Sequence, residues 1–134
     1  MSPVETIMRT APVIPVLVIE DAVHARAIAE ALVAGGLPVL EVTLRTAAAL
    51  DAIAEMKRVP GAIVGAGTVV DVAGLDSAIA AGAEFIVSPG LTDTLGKAAI
   101  AKDIPFLPGV ASAGDIMRGL DLGLTHFKFF PAEA

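Results

Sequence analysis

Two short runs of this sequence carry charges among residues typical of a buried strand. In "HFKFFP", Lys128 stands among Phe127, Phe129 and Phe130. In "VLEVTLRT", Glu41 and Arg45 stand among valine, leucine and threonine. A charge in such a place must be paired or used. The three residue types point to a use. An amine sheltered from water and set beside another cation gives up its proton more readily, and a neutral amine attacks a ketone. The carbinolamine loses water to give a protonated imine, an electron sink that stabilises a carbanion on the adjacent carbon. A carboxylate within reach carries the protons. An arginine grips a substrate carboxylate with paired hydrogen bonds. Lys128, Glu41 and Arg45 supply one group for each role, and this chemistry needs no metal.

The elements around them must bring the three together. Strand alternation puts Glu41, Thr43 and Arg45 on one face and Leu40, Val42 and Leu44 on the other. It puts His126, Lys128 and Phe130 opposite Phe127 and Phe129. Six apolar segments, at 13–19, 38–44, 62–67, 84–88, 104–109 and 126–130, start about 20 to 25 residues apart. Alanine-rich segments with helical spacing lie between them. Asp21, Thr46, Asp71, Thr92 and Ser112 are candidate helix caps. "LVAGGLPVLEV", "AIAAGAEFIVS" and "GLDLGLTHFKFF" each end a helix on glycine before the next strand. A short helix is expected at 4–8.

This is a βαβ series, so the strands should be parallel. An open doubly wound sheet is one solution and a (β/α)₈ barrel is the other. A barrel ordinarily has eight units and about 200 residues or more. Here there are six units in 134 residues. We therefore expect an α/β fold of barrel type, incomplete, as one domain over 1–134. In barrels, chemistry sits where strands end, and Arg45 and Lys128 both lie near strand ends.

Composition narrows the function classes. The chain is 55% hydrophobic. Its apolar runs are short, far from the roughly 20 residues of a membrane helix, so no membrane association is expected. The opening residues lack a secretory signal pattern. The formal net charge of −6 argues against a nucleic-acid surface. There is no cysteine, hence no disulfide or thiolate chemistry. A cytoplasmic setting is expected.

Five motifs, "VLEVTLRT", "IVGAGTV", "SPGL", "PFLPGV" and "FKFFPAEA", occur in this order across the chain. Together they resemble the 2-keto-3-deoxy-6-phosphogluconate (KDPG) aldolase family, class I lyases of the Entner–Doudoroff pathway. "EVTLRT" favours the phosphogluconate branch over the phosphogalactonate one. The resemblance implies Lys128 as the Schiff-base lysine and Glu41 as the general acid/base. It implies Arg45 as the group that binds the pyruvyl carboxylate. It implies Thr68 and Pro89 lining the pyruvate pocket and Phe130 walling it. The implied reaction is reversible cleavage of KDPG to pyruvate and glyceraldehyde 3-phosphate, with 4-hydroxy-2-oxoglutarate as a further substrate. No cofactor is implied. The implied partners are a keto acid and a phosphorylated aldehyde, and the implied assembly is a homotrimer. Family chains carry about two more strand–helix units, with phosphate on the loops after strands seven and eight. The sequence therefore reads as the first six units.

Other readings compete. Lys128 as a strand-end lysine can snorkel to solvent. Glu41 and Arg45 can be a structural ion pair. Thr68 can cap a helix, Pro89 can form a turn, and Phe130 can be core. "GAGTV" lacks the last glycine of a dinucleotide fingerprint. His24 and His126 lie too far apart to suggest a metal aldolase. Lys57, Lys97 and Lys102 read as surface charges. A non-catalytic fragment or assembly module of the same fold is the alternative to an enzyme. A phosphate-binding barrel of the thiamin-phosphate-synthase kind is a weaker one.

Overall fold

A computed structural model describes residues 1–134. Helices and strands alternate along it: α1 (Pro3–Thr10), β1 (Val16–Leu17), α2 (Ala25–Ala34), β2 (Val39–Thr43), α3 (Ala49–Met56), β3 (Ile63–Gly67), α4 (Val72–Ala81), β4 (Ile86–Ser88), α5 (Asp93–Ala101), β5 (Phe106–Val110), α6 (Ala113–Asp121) and β6 (Lys128–Phe129). A short 3₁₀ turn at Ala22–His24 leads into α2. The six strands form one parallel sheet in the order β1-β2-β3-β4-β5-β6. A doubly wound sheet would reverse its order at a switch point. This one never does, so it is a barrel-type sheet, curled and open between β1 and β6.

The two sheet faces bury different things. Leu40, Val42, Val64, Ala66, Ile86 and Phe106 pack outward against the helices, in a core that also holds Ile53, Met56, Leu75 and Leu95. A smaller cluster of Val39, Phe85 and Val87 fills the concave side, with Ile7 of α1 packed on it. At helix α1, Glu5 Oε2 lies 3.7 Å from His126 Nε2. No helix is long and apolar enough to cross a membrane.

Most helix starts are those expected. Asp71, Thr92 and Ser112 each accept a backbone N–H through the side chain at the start of α4, α5 and α6. Asp21 does the same for the 3₁₀ turn. At α6 the Asp115 carboxylate reaches back to the Ala111 N–H, and that bond holds Asp115 below its ordinary range. The helix-to-strand junctions turn at Gly36, Gly82 and Gly123, all at positive φ.

Thr46 is a correction. Its hydroxyl donates to the Ile19 carbonyl at 2.6 Å and caps no helix. Helix α3 begins later, behind Ala48, which makes no side-chain cap. Tying the end of β2 to the end of β1 has won over capping. The outer strands are also shorter than expected. β1 keeps two residues of the segment 13–19 and starts directly after Pro15, which lacks the N–H a ladder needs. β6 keeps two of 126–130 and stops before Pro131.

Candidate active site

Register decides what meets in the concave face. β2 aligns Glu41 with Gly65 and Thr43 with Gly67 on β3. β5 aligns Gly109 with Lys128 on β6. The curl then carries Lys128 round toward Glu41. Nζ of Lys128 stands 3.8 Å from Oε1 of Glu41. That is an ion-pair distance, too long for a hydrogen bond, and the Glu41 Oε1 has no hydrogen-bond partner at all. Glu41 is only 4% exposed. Burial raises its pKa above the ordinary 4.5, against the opposing pull of Lys128 and then Arg45. An orphaned, buried carboxylate oxygen beside an amine is costly unless something comes to meet it.

The remaining candidate residues lie on the same rim. Arg45 follows β2 and is exposed. Its Nε donates to Thr68 Oγ1 at 3.2 Å. Thr68 follows β3 with φ +56, left-handed backbone that a β-branched residue rarely adopts. The hydroxyl contact to Arg45 comes with that conformation. Phe130 lies beside the amine, its ring centroid 4.8 Å from Lys128 Nζ. Pro89 follows β4, and its carbonyl lies over Gly109 where a β-carbon would collide with it. Pro89 also borders a cleft of about 350 Å³ with Val69 and Leu91. Thus Lys128, Glu41 and Phe130 touch or nearly touch, Arg45 and Thr68 form a second pair, and Pro89 stands over the strand beside Lys128.

Two buried hydroxyls complete the rim. Thr43 donates to the Leu17 carbonyl at 3.0 Å and Ser88 to the Gly90 carbonyl at 2.7 Å. Both brace the strand ends. The glycines facing inward, Gly65, Gly67 and Gly109, were missed as site residues. Their alternation in "IVGAG" was the signal that placed the first two on the Glu41 face. A cavity of about 180 Å³ lies at the other end, lined by Ser2, Pro105, Phe106, Leu124 and His126, and includes none of the candidate residues.

Arranged this way, the site can hold a carbonyl carbon at Lys128, move protons through Glu41 and bind an anion at Arg45. The sequence pattern of the family described as KDPG and KHG aldolase matches residues 4–134. The 2-dehydro-3-deoxy-phosphogluconate aldolase of Zymomonas mobilis is 65% identical over 133 residues, which is 99% of this chain and 64% of that protein. The KHG/KDPG aldolase of Escherichia coli is 55% identical over 131 residues, 97% of this chain and 62% of that protein. A crystal structure of KDPG aldolase from Legionella pneumophila, with pyruvate captured at low pH as a covalent carbinolamine, superposes with a TM-score of 0.94 at 45% identity, covering 98% of this chain and 65% of that one. The chain thus spans less than two thirds of each of these relatives.

Proposed function

The chain belongs to the KDPG and KHG aldolase family, and we propose on that premise that it forms a Schiff base with pyruvate at Lys128 and serves the reversible cleavage of KDPG to pyruvate and glyceraldehyde 3-phosphate. The observation that carries this reading is the 3.8 Å approach of the Lys128 amine to a buried, unpartnered carboxylate. Lys128 Nζ adds to C2 of the keto acid. The carbinolamine loses water, and an iminium joins Nζ to C2. In the cleavage direction the C4 hydroxyl loses its proton and the C3–C4 bond breaks. Its electron pair moves onto C3 and the iminium, giving an enamine and a free aldehyde. Glu41 then returns a proton to C3, and water releases pyruvate from Lys128. A carboxyl that keeps its proton to higher pH than usual is suited to both giving and taking it.

Arg45 holds the keto-acid carboxylate, and Thr68 steadies the guanidinium by its hydroxyl. Phe130 covers the amine and limits water at the imine. Pro89 lines the pyruvate pocket above Gly109. The same keto-acid end admits 4-hydroxy-2-oxoglutarate, whose reactive portion is identical. We extend the reading to a trimer in the cytoplasm, which the family resemblance implies.

The test is pyruvate release from KDPG and from 4-hydroxy-2-oxoglutarate. Release that disappears in Lys128→Ala supports the reading. Release from neither substrate by a folded chain contradicts it.

A further inference from the structure

The inner face of β3 is bare at two positions, and side chains from β2 and from the residue just before β4 lie in the space. A β-carbon on Gly65 would stand 2.5 Å from the Phe85 ring. A β-carbon on Gly67 would overlap Glu41, with Cδ at 2.7 Å, Cγ at 2.8 Å and Oε1 nearer still. Glu41 itself springs from the position opposite Gly65 in the ladder, one step toward the start of the strands. Its side chain therefore leans diagonally along β3 to rest on Gly67. Phe85 occupies the space over Gly65, so the carboxylate cannot settle lower. Backbone conformation does not explain the glycine, since Gly67 is absent from the residues at positive φ. What it offers is room.

We propose that Gly67 is a positioning residue for Glu41, its missing side chain being the seat that aims the carboxylate at Lys128. This rests on the reading of Glu41 as the proton shuttle. The step that reports on it is proton exchange at the methyl of bound pyruvate. Glu41 takes a proton from C3 of the iminium. The C–H electron pair forms the C2=C3 bond, and the C=N pair returns to nitrogen. Solvent replaces the proton on Glu41 with deuterium, which goes back to C3. Forming the iminium in the first place needs Lys128 and space for the keto acid, not the aim of Glu41.

The experiment uses the full chain, as parent and as Gly67→Ala. Three quantities are read: borohydride-trapped pyruvate at Lys128 by mass, methyl exchange in deuterium oxide by proton NMR, and titration of the Glu41 carboxyl by carbon-13 NMR. Gly67→Ala should keep trapping within about threefold and lose methyl exchange by about 100-fold, the scale expected when a catalytic group is displaced by about an ångström. The Glu41 titration should move down toward 4.5 as the carboxylate leaves its buried seat. Unchanged exchange and titration in a folded Gly67→Ala would overturn the proposal, and so would equal losses of trapping and exchange. If Gly67→Ala does not fold, Gly67→Ala/Glu41→Ala decides. A folded double variant supports the proposal, because the new methyl then has room. A double variant that fails to fold overturns it. If the parent traps no pyruvate, the aldolase reading fails by itself, and the titration still judges Gly67.

Discussion

Lys128 on β6 and Glu41 on β2 approach to 3.8 Å with three strands between them in the sheet. In a flat sheet, four spacings of about 4.8 Å would hold those backbones about 19 Å apart. The pair therefore reports the curl. Parallel register and right-handed βαβ crossovers keep the crossover helices, α2 to α6, on the convex side. The concave side is left for polar groups at its rim and for a small apolar plug under α1. The same curl strands a carboxylate away from water next to the amine.

Removing the amine should make that burial more costly. Lys128 is the first of the charges that pull the Glu41 pKa down. In Lys128→Ala the carboxyl should titrate higher than in the parent. Carbon-13 NMR of labelled glutamate reads the shift, and a downward move would show that Lys128 acts on Glu41 more by keeping water away than by its charge.

The pH dependence of stability follows from the same group. Below pH 4.5 both folded and unfolded chains hold the Glu41 proton. Above it the unfolded chain ionises first, so the native state binds more protons and stability falls as pH rises. The fall amounts to at most about 1.4 kcal/mol per pH unit and ends once pH passes the raised folded value. Glu41→Gln should remove this contribution, so unfolding midpoints in urea should lose less with rising pH than the parent's across that window.

Arg45 should act through geometry as well as charge. Lysine keeps the charge and loses the planar fork. Arg45→Lys should raise the pyruvate concentration for half-maximal trapping by about 10-fold, equivalent to one charge-assisted hydrogen bond. The maximal adduct at Lys128 should stay the same. A titration of trapped mass against pyruvate separates the two.

Thr68 carries strain that glycine would relieve. Left-handed backbone costs an ordinary residue about 1 to 2 kcal/mol, while glycine gives back about 0.4 to 1 kcal/mol through the unfolded chain. Thr68→Gly should therefore keep stability within about 1 kcal/mol of the parent. Losing the hydroxyl that fixes Arg45 should raise half-saturating pyruvate by about three- to tenfold. Calorimetry and the trapping titration check the two halves.

Much of this is legible in the sequence. Alternation in "VLEVTLRT" and "HFKFFP" put Glu41 and Lys128 on inward faces, because a strand has only two sides. Helix ends were readable at Asp71, Thr92 and Ser112, whose side chains satisfy local N–H groups. Thr46 looked the same and was not, since its hydroxyl found the Ile19 carbonyl on a neighbouring strand. Such a bond spans 27 residues and leaves no local pattern. The contact of Arg45 with Thr68, 23 residues away, was hidden for the same reason. Residue identity suggested each role, but only the register of β2, β3, β5 and β6 brings the groups within reach.

The measurement that goes most directly to the central claim is intact mass after incubation with pyruvate and borohydride, followed by peptide mapping. A single pyruvyl adduct on Lys128, absent from Lys128→Ala, is the predicted result. A folded chain that gains no mass, or that is labelled at Lys57, Lys97 or Lys102 instead, would contradict it.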